Sequence, residues 1–180
     1  MKINKNCKIE LACSTDKQRA AICNPYLEID DKGARMIATN GQILAIVPVD
    51  PQEGDKAGLV PVDAIKDARK AKPASLPEAT LACNGNVKLL DGRQYPRPDF
   101  AFPNYRAVLP AENRPAKFTV GIDAKLLWEL AQAMGTQGVT LEFENELSAI
   151  KVRPSAAGQH GSIKPADYEA RGVIMPIRIS

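Results

Sequence analysis

The side chains with the widest chemical range are few. A single histidine, His160, sits in the glycine-rich run Gly158-Gln159-His160-Gly161. A lone imidazole in such a loop argues against Ser-His or Cys-His catalysis, which needs a base held beside its nucleophile. The four cysteines, Cys7, Cys13, Cys23 and Cys83, include no Cys-x-x-Cys pair. With one histidine they form no zinc signature and read as buried or free thiols. No Gly-x-x-x-x-Gly-Lys-Ser/Thr loop is present to cradle a phosphate. Carboxylates cluster at Asp30-Asp31 and at Glu142, Glu144 and Glu146. The second set alternates as along one strand and reads as a solvated face; a metal would need further ligands. No enzymatic activity, cofactor or metal is expected. The basic residues are more suggestive: Lys66, Arg69 and Lys70 share one helical face, opposite Ala64, Ile65 and Ala68. Such a row can lie along DNA phosphates without reading bases, or simply face solvent.

The elements that carry these residues recur in order. Residues 1–21 read as a strand or a short helix, and 20–30 as a strand broken near Asn24-Pro25. Residues 34–49, "ARMIATNGQILAIVPV", read as two strands around Asn40-Gly41, a hairpin dipeptide. A helix is expected over 60–72, with Asp63 near its start and Pro73 marking its end. Strands follow in "ATLACNG", "NVKLLDG" and "RQYPRP", the last confined to a sheet edge by Pro96 and Pro98. Residues 99–115 form a proline-bounded connector. The pattern then restarts with a strand in "AKFTVGI" and a helix over 123–135. Asp123 caps that helix, Gly135 ends it, and Leu126, Leu127, Leu130 and Met134 form its buried stripe. A hairpin over 139–154, a loop over 155–167 and a final strand complete the chain. A unit of strand, helix and three strands thus occurs at 58–98 and at 117–179, and residues 1–49 look like a worn-down third copy. The fold class is α+β, built of repeated β-α-β-β-β units with helices on one face of antiparallel sheets. The expected division is a two-unit domain over 1–98, a connector over 99–116 and a C-terminal half-unit over 117–180.

With 180 residues, 44% hydrophobic and 25% charged, the chain suits one globular domain or slightly more. No stretch reaches the roughly 20 apolar residues of a membrane helix, and no apolar segment follows the short basic start. A cytoplasmic, reducing location and no membrane partner are therefore expected. The net charge of +3 permits a polyanionic partner without demanding one.

Three stretches, in order, carry a family resemblance. "ARMIATNGQILAIVPVD" resembles the "ATDGHRLA" region of the bacterial DNA polymerase III β subunit, the sliding clamp. "FPNYRAVLP" resembles the "FPDYRRVLP" connector between the clamp's second and third domains, and "GVIMPIRIS" resembles its C-terminal "VVMPMRL". "ACSTDKQRA" is similar to the "STDETR" segment that follows a helix in many clamps. The chain is short for that family: it looks like the second clamp domain, its first helix trimmed, joined to the last half of the third.

The resemblance implies a DNA-clamp-like fold and a processivity factor that binds double-stranded DNA non-specifically. It also implies an apolar pocket for peptides of DNA polymerase and other partners carrying a clamp-binding motif. The matching pocket positions are Thr39, Gly41 and Leu44; then Pro103, Tyr105, Arg106 and Val108; then Val173, Met175, Pro176, Ile177, Arg178 and Ile179. Met and Pro walls suit Leu or Phe anchors, and Arg106 or Arg178 suits carboxylates or carbonyls. The family's His-Arg after the glycine is Gln42-Ile43 here, and its second connector arginine is Ala107, which makes the pocket less basic. Lys66, Arg69 and Lys70 would face the duplex. Clamp rings present twelve helices, so three units per chain imply a homo-oligomer of four. The alternative is a clamp-derived regulatory module that binds such peptides, or a full-length clamp, without encircling DNA.

Overall fold

The computed structural model describes residues 1–71, 77–110, 116, 118–155 and 170–177. Chain contacts divide it into two units, Met1–Leu109 and Pro110–Ser180.

The first unit is built from two similar halves. In one, β1 (Lys2–Asn4) leads through two short 3-10 helices, Ile9–Ala12 and Lys17–Ile22, into β2 (Tyr26–Asp30), β3 (Gly33–Thr39) and β4 (Leu44–Val49). In the other, β5 (Gly58–Leu59) leads through α1 (Val62–Lys70) into β6 (Glu78–Ala82), β7 (Val87–Leu89) and β8 (Gln94–Tyr95). The leading strands are exchanged. β1 joins the sheet β1-β6-β7-β8, with Ile3 opposite Ala79, and β5 joins the sheet β4-β3-β2-β5, with Leu59 opposite Tyr26. Alternation along the strands decides which residues turn inward. Ala34, Met36 and Ala38 of β3 enter one apolar cluster with Ile3, Leu27, Ile65, Leu81 and Val87. The Met1 ammonium is buried with them, donating to the Asp55 carboxylate and the Leu81 carbonyl.

Helix α1 lies on β6 and β7. Ala64, Ile65 and Ala68 are buried, as their spacing predicts, while Lys66 and Lys70 are exposed. Its N-cap, Pro61, offers no side-chain acceptor; the Val62 N–H donates instead to Asn24 Oδ1 of the other half at 3.0 Å. Pro73 falls outside the described residues. Residues 20–22, read from sequence as strand-like, belong to the second 3-10 helix, capped by the Asp16 carboxylate. Residues 9–12 take the helical alternative in its 3-10 form.

The second unit repeats the order once. α2 (Ala124–Ala133) is followed by β9 (Val139–Glu142), β10 (Ile150–Pro154) and β11 (Gly172–Ile174), which form the antiparallel sheet β11-β10-β9. Asp123 Oδ1 accepts from the N–H groups of Lys125 and Leu126 at 2.8 and 3.2 Å, and Gly135 stops the helix with φ +65°. Met134, Ile150, Val152 and Ile174 form the core, with Leu127 and Leu130 packed against it. Three sequence expectations change here. Leu126 stands 51% exposed, so it is not part of a buried stripe. The strand expected at 116–122 reduces, among the described residues, to one antiparallel bridge, Gly121 with Ile177. Glu144 and Glu146 lie in the turn beyond β9 and do not share a strand face with Glu142.

The architecture is α+β with antiparallel sheets, as the repeated order of elements predicts. Among the described residues no helix is long and apolar enough to cross a membrane.

Candidate functional site

The β3–β4 hairpin brings Thr39, Gly41 and Leu44 together. Thr39 Oγ1 accepts from the Gly41 N–H at 3.0 Å and donates to the Ile43 carbonyl at 2.7 Å. Asn40 Oδ1 accepts from the Gln42 and Ile43 N–H groups at 2.9 and 3.0 Å. These bonds fix a tight turn in which Gly41 takes φ +92°, a conformation glycine adopts without a Cβ penalty. Leu44 pairs with Thr39 across the hairpin and is half-buried. Arg19 was not singled out from the sequence, although it lies in the "STDKQRA" stretch. Its guanidinium donates to the Asn40 carbonyl at 2.9 Å and covers the bare face of Gly41, where any Cβ would collide with it. Beside it opens a polar cavity of about 510 Å³, lined by Ser14, Thr15, Asp16, Arg19, Asn40 and Gln42 among others.

The connector residues Pro103, Tyr105, Arg106 and Val108 lie on and just before a 3-10 turn, Tyr105–Val108, that is tied to β2. The buried Tyr105 hydroxyl donates to Glu28 at 2.7 Å. Arg106 pairs with Glu28 at 3.0 Å and with Asp30 at 3.2 Å, and Arg35 pairs with the same two carboxylates. Burial would raise the Asp30 carboxyl, but bonds from the Lys32 N–H and from Arg35 outweigh it and hold the group below its ordinary value. Burial and then the Glu28 bond push the Tyr105 hydroxyl upward, and bonding to Glu28 raises Arg106 further above its usual range. Arg106, read from sequence as a donor to a visiting peptide, is thus engaged within the chain. The Tyr26 and Phe102 rings stack at 5.4 Å. A groove of about 350 Å³ runs over Tyr26, Phe100, Phe102, Pro103 and Asn104. Val108 is 73% exposed beyond it.

The C-terminal stretch belongs to the second unit. Ile174 is buried against β10, while Val173 and Met175 are exposed, Pro176 is half-buried and Ile177 is held by its bridge to Gly121. Arg178 and Ile179 lie outside the described residues. Thr39, Gly41, Leu44 and the connector set all belong to the first unit.

On α1, Lys66 and Lys70 present free faces to solvent, whereas Arg69 is half-buried. Its Nε donates to the Lys5 carbonyl at 2.8 Å, and its guanidinium pairs with Glu10. On α2 the one lysine, Lys125, pairs with Glu129 at 3.7 Å. Among the described residues no group of three His, Cys, Asp or Glu side chains converges to hold a metal. Burial pushes the Cys13 thiol up to about 12 and the Cys83 thiol up to about 11, which makes both poor nucleophiles.

No protein-family model matches the chain, and no curated protein matches it by sequence. Solved structures do. A DNA polymerase sliding clamp from Pseudomonas aeruginosa, solved with a ligand, is similar over 98% of this chain and 50% of its own, with a TM-score of 0.70 and 19% identity. Caulobacter crescentus pol III beta is similar over the same shares, with a TM-score of 0.61 and 20% identity. DNA polymerase III subunit beta from Borrelia burgdorferi, in complex with a natural product, is similar over 97% of this chain and 48% of its own, with a TM-score of 0.65 and 14% identity. The chain has the sliding-clamp fold and spans about half the length of the structures it matches.

Proposed function

We propose that this sliding-clamp fold serves as a shortened processivity factor, one that keeps a DNA polymerase on double-stranded DNA and catalyses no reaction itself. The observation that carries the reading is the clamp likeness over 98% of the chain. Peptides bearing a clamp-binding motif would dock on the Thr39–Leu44 turn and the Pro103–Val108 connector of the first unit; the family resemblance adds the Val173–Ile179 tail of the second to the candidate positions. Exposed Val108, Val173, Met175 and Ile177 supply apolar anchor surface for such a peptide. The Glu28–Arg106 and Tyr105–Glu28 bonds act as braces that set the connector's path, leaving the pocket dominated by apolar contacts. Lys66 and Lys70 lie near the duplex phosphates, with Arg69 bracing the helix; this needs little net charge if ring closure, with four chains supplying twelve units, retains the DNA. The protein works in the cytoplasm.

Fluorescence anisotropy of a labelled clamp-binding-motif peptide tests the pocket. Met175→Asp and Val108→Asp are each expected to weaken binding at least about tenfold, by placing a charge where an apolar anchor docks. Wild-type affinity in both variants would remove the pocket. Retention on nicked circular duplex, lost on linearisation, tests encirclement. The regulatory-module reading is favoured by the Arg69–Glu10 and Lys125–Glu129 pairs, which neutralise one basic side chain on each helix. Peptide binding with equal loss from circles and linear DNA would select it.

A further inference from the structure

We infer that the second unit is completed by the second unit of another copy of the same chain, the two exchanging leading strands across a two-fold axis. The first unit supplies the template. There each half's leading strand leaves its own sheet and pairs with the strand after the helix in the other half: β1 on β6, β5 on β2. The second unit holds one half of that plan. Its leading segment makes the Gly121–Ile177 bridge just beyond its own third strand, β11, as Lys2 bridges Asp50 just beyond β4. Phe118 meets Phe143 with ring centroids 5.9 Å apart, at the place where Lys56 bonds the Cys83 carbonyl in the half that contains α1. What is missing, among the described residues, is a partner for each exchanged edge. β9 ends its sheet, and among the described residues no strand pairs with its outer side.

The helices say the same. The third residue after the N-cap is Ala64 in α1, fully buried within the completed pair of halves. In α2 that position is Leu126, half exposed. A larger apolar side chain stands uncovered where the template buries a small one. By contrast, the fifth position is Lys66 in α1 and Trp128 in α2, and both are exposed, so Trp128 lies outside the proposed contact.

A second copy fits because the arrangement is self-complementary: each copy offers one segment and one edge, the condition for an isologous interface. The Phe118–Gly121 segment carries no charge, and β9 carries only Glu142 at its end, so no like charges meet. β9 also lacks the Lys or Pro that commonly blocks an edge from pairing. The inference rests on the fold and is independent of DNA or peptide binding.

The test is the mass of the full chain in solution, by sedimentation and light scattering over a concentration series. A species of even stoichiometry is expected, at or above twice the 19.5 kDa chain mass. Leu126→Asp, exposed in the single chain, should preserve the circular dichroism spectrum while raising the dissociation constant roughly 100-fold, because each dimer buries the new charge twice. Trp128→Ala should leave the mass unchanged. Hydrogen exchange should show protection of residues 120–121 and 139–142 in the wild type and its loss in Leu126→Asp, with β10 protected in both. A monomer at every concentration overturns the inference, as does an oligomer in which Leu126→Asp changes nothing or β9 exchanges freely. A monomer that still binds the peptide would fail this inference alone; a dimer that does not would fail only the pocket.

Discussion

The two units share an order of elements but differ in closure. In the first, two halves interlock, and Ile65 of α1 is fully buried in a core drawn from both sheets. In the second, Leu127, at the same position after the N-cap, is only half-buried beside one sheet. α1 borrows its cap from Asn24 in the neighbouring half, while α2 carries its own in Asp123. One repeated unit can therefore form its helix and hairpins locally, but a closed core requires a second unit.

The sharpest way to break this contrast is to cut equivalent side chains. Ile65→Ala is expected to cost about 3 kcal/mol in denaturant unfolding of the first unit, and Leu127→Ala about half that in the second when dimers are diluted away. Equal losses would mean that the second unit is already closed. Arg97→Ala should rank next, at about 2 kcal/mol, since Arg97 donates to the Lys56, Leu59 and Cys83 carbonyls and so ties the entry of β5 to the end of β6. The caps come third: Asn24→Ala and Asp123→Ala should each cost about 1 kcal/mol, the first read in the unfolding of the whole first unit and the second as fraying of α2 alone.

Acid provides a finer probe. Burial works against ionised Asp55, yet its bonds from the Met1 ammonium and from the Gln52 and Cys83 N–H groups prevail and hold its carboxyl below its ordinary value. A depressed native value gives stability that is present above the unfolded value and is lost as pH falls through the folded one. The first unit should therefore weaken below about pH 4, and Asp55→Asn should flatten that part of the profile. The smallest effect is a labelling pattern. In native protein a thiol reagent should modify Cys7 and Cys23, which are half-buried, and reach Cys13 and Cys83 only after unfolding.

Much of the local structure was legible in the residues. Asn40-Gly41 marks the β3–β4 turn because it suits a tight hairpin, and Asp123 and Gly135 bracket α2 because each satisfies a helix end. The 3-10 helix at Lys17–Ile22 was not legible, since "AAIC" carries no clear period. Nor was the exchange of β1 and β5, which depends on pairing between residues distant in sequence. Periodicity places Leu126 at a core-facing position, but it cannot say whether the partner half is present. Helical spacing marked Arg69 as an available cation and the family resemblance marked Arg106, whereas Glu10 and Glu28, remote in sequence, occupy them. Pairing at such range is decided by tertiary placement and has no local signature.

The strand exchange also sets a timetable. Lys2–Asn4 have no sheet to join until Glu78–Thr80 have been synthesised, so β1 is secured well after it is made. On a ribosome adding about 5–20 residues per second, that wait is on the order of ten seconds. Throughout it Ile3 and Leu27 lack their final surroundings, and the nascent chain is a candidate client for a holding chaperone.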